Sequence, residues 1–194
     1  MLKVAITGNI ASGKSEVEKI LREKSFSVLD SDVVAHDLLR DEEVKKTILE
    51  TFADFDILEN GIISRSKLGK IVFEDKNSRE KLEKILHPII KDKIGKFFNE
   101  QSQKGEKIAF VSVPLLFEVH FENLFDKIIL VYSDDEIRLK RLMQRSDLTK
   151  EQAQNRINIQ MKQDDKKALS HFIIYNNDSL ESLNKDVINL LRNF

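Results

Sequence analysis

Cysteine is absent from this 194-residue chain, which excludes disulfide bonds and thiolate metal sites. Long apolar runs are absent too: no stretch approaches the roughly 18 residues needed for a membrane-spanning helix, so no membrane partner is expected. Charge of one sign does not accumulate. Lys and Arg number 32 against 33 Asp and Glu, a formal net charge of -1, which argues against a nucleic-acid partner held by phosphate neutralisation. There is no internal repeat, low-complexity segment or Gly/Ser-rich linker. The start of the chain lacks the basic residues, apolar stretch and small-residue cleavage site of a secretory signal, so a cytoplasmic location is expected.

What is present is the composition of a globular domain with one well-buried core, 41% hydrophobic and 34% charged. Short β-branched runs alternate with longer amphipathic stretches, the pattern of parallel strands joined by crossover helices. Strands are predicted at 3–7, 26–30, 107–113, 127–133 and 171–176. Between the second and third lies a mostly helical insertion, too large for a simple crossover. In it Leu82, Ile85, Leu86, Ile89, Ile90, Ile94 and Phe97 recur at spacings of three and four, predicting one buried helical face. Pro88 inside that pattern predicts a kink or break beside His87. After the fourth strand, Ser133 with Glu136 and Thr149 with Gln152 fit capping boxes, predicting two helices in a hairpin.

The most specific signal is "GNIASGKS" at 8–15, between the first strand and a helix-like stretch. It fits G-x-x-x-x-G-K-[ST], in which glycines let backbone N–H groups curl around phosphate oxygens. By chance this pattern arises on the order of once per hundred chains of such length. The reading makes Gly8, Asn9, Ile10, Ala11, Ser12, Gly13, Lys14, Ser15 and Glu16 an ATP-binding loop. Lys14 would bridge the outer phosphates and the Ser15 hydroxyl would ligate Mg²⁺. "DSD" at 30–32 and "PLLFE" at 114–118 follow the next strands, and ligands gather outside the carboxyl ends of parallel strands.

Other residues carry two readings each. Asp32 is placed to orient an attacking hydroxyl and take its proton, or Asp30 or Asp32 caps the following helix. Arg138, Arg141 and Arg145 share one helical face, with Arg156 further on. They form a lid that closes guanidinium groups onto phosphates, or a solvated basic face. His87 faces a ligand at an irregular point or is tolerated there.

Taken together, "AITGNIASGKS", "VLDSDVVAHDLL", "GIISRSKLGKIVF", "LHP", "PLLFE", "RLKRLMQR" and "RINIQ" through "FIIYNN" make the chain resemble the dephospho-coenzyme A kinases. These belong to the P-loop kinases similar to nucleoside monophosphate kinases, and the resemblance runs nearly end to end. It implies a three-layer α/β/α P-loop NTPase fold with a five-stranded parallel sheet, a helical acceptor-binding insertion and a helical lid. Residues 1–33, 106–133 and 170–194 would be the nucleotide-binding core, 34–105 the acceptor insertion and 134–169 the lid. The implied activity is transfer of phosphate from Mg²⁺-bound ATP to the ribose 3′-hydroxyl of dephospho-coenzyme A, the last step of coenzyme A synthesis. On the motif match Asp32 is the base, with Lys14, Arg141 and Arg145 also catalytic. Arg65, His87, Leu115 and Glu118 line the acceptor side, and Arg138, Arg141, Arg145 and Arg156 belong to the lid.

The chain departs from the family pattern in places. Asn9 and Ala11 stand where many members have glycine, and Glu16 replaces the usual Thr. "AHD" replaces the common A-R-E or A-R-Q, and "NND" lacks the usual glycine. The alternatives are a kinase of nucleoside monophosphates or other small molecules, whose acceptor insertion would differ, and a non-enzymatic nucleotide switch. No N-K-x-D guanine signature supports the switch. Oligomeric state leaves no mark in the sequence.

Overall fold

The computed structural model describes residues 1–194, which divide into two compact units, Met1–Asp30 with Phe97–Phe194, and Ser31–Lys96. The first unit is built on a five-stranded parallel sheet in the order β2-β5-β1-β6-β7. Its strands are β1 (Leu2–Thr7), β2 (Val28–Asp30), β5 (Ile108–Ser112), β6 (Lys127–Tyr132) and β7 (Phe172–Tyr175). Every predicted strand is present, each end within two residues of its expected position: β1 is one residue longer and the other four are one or two residues shorter. β1 lies in the middle, with Ile6 opposite Ser112 of β5 and Ile129 of β6. Val4, Ala5 and Ile6 are all fully buried, as expected of a parallel strand covered on both faces.

Two helices cover one face of the sheet, α1 (Lys14–Glu23) and α9 (Leu180–Leu191). Val17, Ile20 and Leu21 of α1 and Leu183 and Val187 of α9 enclose Val4, Ile6, Phe110, Ile129 and Val131. On the other face, Lys3 Nζ lies 5.6 Å from the ring centre of Phe98, and that ring meets Phe125 edge to face. The result is a three-layer α/β/α arrangement. Helices α6 (Asp135–Ser146), α7 (Lys150–Asn158) and α8 (Gln163–Leu169) fall within this unit. Leu142, Ala153 and Ile157 form a small core between α6 and α7, packed against Ile10 and Ala11.

The second unit contains α2 (Ser31–Leu38), α3 (Glu42–Thr51), α4 (Arg65–Glu74) and most of α5 (Lys76–Gln103), with a short hairpin of β3 (Leu58–Glu59) and β4 (Ile62–Ile63). The hairpin turns on Asn60 and Gly61, both at positive φ (52° and 77°), the backbone that a two-residue Asn-Gly turn requires. Asp41 caps α3 by accepting from the backbone N–H of Glu43 and Val44 at 3.1 Å.

Two local expectations are corrected. Pro88 does not interrupt its helix: α5 runs unbroken for 28 residues. Proline forfeits one backbone bond in a long ladder, while Ile90, Ile94 and Phe98 bury a continuous stripe that keeps the helix in place. Ser133 does not cap α6. The N-cap is Asp134, without a side-chain bond, because the Ser133 hydroxyl is taken by Asn176 O and Ser12 O. The Thr149–Gln152 capping box forms with both bonds in place.

Candidate active site at the phosphate loop

Residues 8–15 leave the central strand and enter α1. Two glycines are required there by space. A Cβ on Gly8 would lie 2.6 Å from Ser12 Oγ and 2.8 Å from the Val131 carbonyl oxygen. At Gly13, φ is +93° and a Cβ would lie 1.9 Å from Asn176 Nδ2. Ala11 also adopts a left-handed conformation, φ 62°, without glycine's freedom. Gly13 is the N-cap of α1 and offers no side-chain bond, so the first N–H groups of this ten-residue helix are left for an anion. Ser12 Oγ and Asn9 Oδ1 are buried without a hydrogen-bond partner, polar atoms of a loop shaped around something other than itself.

Lys14 Nζ donates to Glu18 Oε1 at 2.7 Å and contacts Ser112 Oγ. The same carboxylate oxygen accepts from Ser112 Oγ at 2.6 Å. Burial pushes the Glu18 carboxyl up. The Lys14 charge, the bonds from Lys14 and Ser112, and Arg22 outweigh it and hold the group below its ordinary value.

Three segments distant in sequence pin the loop. Asn176 Nδ2 donates to Ser12 O at 2.8 Å. Ile10 N donates to Gln160 Oε1 at 2.7 Å, and Asn9 Nδ2 to Met161 O at 2.8 Å. Arg138 is only 2% exposed; its Nη1 reaches Ile10 O at 3.4 Å and its Nη2 pairs with Asp135 at 2.8 Å. It therefore supports the loop from behind, which separates it from a solvated basic face. Arg141 Nη1 donates to Ser133 Oγ and Asn176 O, both at 3.0 Å. Arg145 and Arg156 are exposed.

The connection between α7 and α8 is held in turn. Gln163 Nε2 donates to Ser133 O at 2.8 Å and Asp135 Oδ1 at 3.0 Å. Met161 N donates to Glu118 Oε1 at 3.2 Å, and Glu118 pairs with Lys166 at 2.8 Å. Lys166 is fully buried and also donates to Pro114 O at 3.1 Å. Burial pushes its pKa down, and Glu118 only partly restores it. Leu115 is exposed at 44%.

Within the second unit, Asp32 lies in the first turn of α2 and Arg65 opens α4, both exposed. His87 is half-buried within α5, beside Pro88; burial lowers its pKa more than Glu83 raises it, and Lys91 lowers it further.

Sequence reasoning missed Glu18, Ser112, Asn176, Gln160, Gln163 and Lys166. Gln160 and Asn176 lie in the quoted "RINIQ" and "FIIYNN" stretches without having been singled out, and the spacing of Lys14 and Glu18, four apart on a helix, carried a signal as well. A divalent ion fits the residues present. No group of three His, Cys, Asp or Glu exists to cage a bare ion. The Ser15 hydroxyl beside an N-terminus suited to phosphates matches the way Mg²⁺ is held by few protein oxygens together with substrate phosphates.

Comparison with known proteins agrees with this geometry. The family described as "CoaE: Dephospho-CoA kinase" matches residues 2–182. A dephospho-CoA kinase of Listeria monocytogenes is 40% identical over 192 residues, covering 98% of this chain and 96% of its own. One from Fusobacterium nucleatum is 40% identical over 185 residues, 95% and 94% of the two chains. Among solved structures, a Thermus thermophilus protein superposes with a TM-score of 0.84 at 30% identity, covering 100% of this chain and 97% of that one. The dephospho-CoA kinase of Campylobacter jejuni gives 0.74 at 31%, covering 98% and 95%. A strand-to-helix phosphate loop on the central strand, in a chain alike from end to end, leads to one conclusion: this chain belongs to the dephospho-CoA kinase family.

Proposed function

We propose that the chain transfers the γ-phosphoryl group of ATP to the ribose 3′-hydroxyl of dephospho-coenzyme A, giving coenzyme A and ADP. The observation that carries this reading is the family match over residues 2–182, joined to a loop whose Gly8 and Gly13 admit no side chain. Backbone N–H groups of the loop and of the first turn of α1 hold the phosphates. Lys14 leaves Glu18 to neutralise charge on the transferring group. Ser15 would hold Mg²⁺, which when bound offsets charge on the β- and γ-phosphates.

Asp32 orients the 3′-hydroxyl and accepts its proton as the new P–O bond forms. Arg65 and His87 from segment 34–105, together with Leu115 and Glu118, bind the acceptor. Segment 134–169 is the lid, in which Arg145 and Arg156 are available for phosphate while Arg138 and Arg141 brace the loop. No helix of the chain is long and apolar enough to cross a membrane, and we place the reaction in the cytoplasm. ADP release measured against a panel of acceptors tests the reading. Dephospho-coenzyme A is expected to stimulate release far above nucleoside monophosphates and shikimate; equal stimulation by a nucleoside monophosphate would overturn it.

A further inference from the structure

Glu18 is a buried carboxylate to which the transfer chemistry gives no role of its own. It projects from α1 one turn after Lys14 and is 3% exposed. Its Oε1 accepts from Lys14 Nζ and Ser112 Oγ, and its Oε2 lies 3.3 Å from Arg22 Nη2. Burying a carboxylate strips it of water, a cost that only close partners offset. α1 packs on the sheet through Val17, Ile20 and Leu21, and its packing needs no acid at 18.

P-loop enzymes commonly complete their Mg²⁺ site with an aspartate ending a strand beside the loop strand. In this chain the residue at the end of β5, opposite Ile6 of β1, is Ser112. Its hydroxyl cannot supply the negative charge. The carboxylate bonded to it can.

We propose that Glu18 supplies from α1 the carboxylate that such enzymes carry on the strand, anchored at the strand end by Ser112. Before nucleotide arrives, it holds Lys14 inside the loop. Once Lys14 turns to the phosphates, the carboxylate remains fixed by Ser112 and accepts hydrogen bonds from the water shell of the ion beside Ser15. Glu18 acts through Lys14, Ser112 and that water, and is a positioning residue. Asp30, whose Cα is paired with Ser112 across β2 and β5, is the rival carboxylate.

The proposal rests on Gly8–Ser15 being a Mg-ATP loop, and calorimetry with a non-hydrolysable ATP analogue, with and without Mg²⁺, tests the two separately. The readout is the factor by which Mg²⁺ tightens binding. Glu18→Gln is expected to reduce that factor by about 10- to 100-fold, the usual effect of losing an outer-shell partner. Metal-free affinity should hold or improve, because Lys14 is released. The double variant Glu18→Ala with Ser112→Asp moves the carboxylate onto the strand and should recover most of the factor, and Asp30→Asn should leave it unchanged.

An unchanged factor in Glu18→Gln, an equal loss with and without metal, or a factor abolished by Asp30→Asn overturns the proposal. Should Glu18→Gln not fold, the double variant decides: a folded protein without Mg²⁺ enhancement overturns it. Wild type that binds no analogue would overturn the loop reading instead.

Discussion

The pair Glu118–Lys166 offers an asymmetric test of how the α7–α8 connection is held. Lys166 is fully buried, with Glu118 Oε1 at 2.8 Å and Pro114 O at 3.1 Å as its partners, while Glu118 keeps 24% exposure. Glu118→Gln preserves shape but leaves an ammonium buried without its anion, which costs about 3–5 kcal/mol. Lys166→Met leaves Glu118 Oε1 still accepting from Met161 N, although Oε2 is buried without a partner, so the loss is smaller, about 2–3 kcal/mol. The double variant removes both charges and should lie within about 1 kcal/mol of wild type.

Proton linkage adds a sign. Burial sets the folded pKa of Lys166 below its unfolded value of 10.5, so the unfolded chain binds the proton more tightly and stability rises with pH across that window. Without Glu118 the window widens downward, and the Glu118→Gln penalty should shrink as pH rises from about 7 to about 9.5. The chain has no tryptophan, so urea unfolding is best followed by far-ultraviolet circular dichroism. Single-variant losses that are equal and simply add in the double variant would refute the reasoning.

Three further outcomes follow from the same geometry. Arg141→Ala loses bonds to Ser133 Oγ and Asn176 O and should cost about 1–3 kcal/mol, whereas exposed Arg145→Ala should stay within about 0.5 kcal/mol while lowering turnover. Melting and turnover measured together check this, and full activity in both variants contradicts the lid. Asp32→Asn should reduce turnover about 10²- to 10⁴-fold with ATP titration and melting scarcely altered, since Asp32 is exposed inside the first turn of α2 rather than at its cap; wild-type turnover removes the base. His87 has a folded pKa below its unfolded 6.5, so its contribution is full above 6.5 and lost as pH falls through the folded value. Melting temperatures of His87→Gln should therefore depend less on pH than those of wild type between about pH 7 and pH 5.

The parallel sheet was legible because its strands are short β-branched runs bounded by turn residues, and the loop because its spacing is tied to phosphate geometry. The β3–β4 hairpin was legible in principle, as Asn60-Gly61 between apolar residues is a strong turn signal, but two-residue strands carry too little alternation to register. Ser133 shows why local patterns fail: a capping sequence was present, yet partners 43 and 121 residues away claimed the hydroxyl. The same holds for Lys166 and Glu118, and for Ile10 and Gln160, whose pairing depends on how helices return across the strand ends. Pro88 shows the converse, a local breaker overruled by packing.

The identity of the hydroxyl that receives the phosphate separates a dephospho-coenzyme A kinase from other small-molecule kinases. Incubating the protein with Mg-ATP and dephospho-coenzyme A, then locating the new phosphate by ³¹P NMR and mass spectrometry, tests it most directly. One added phosphoryl group on the ribose 3′-oxygen, matched by one ADP, is expected. ADP without phosphorylated acceptor, or phosphate at any other position, would contradict it.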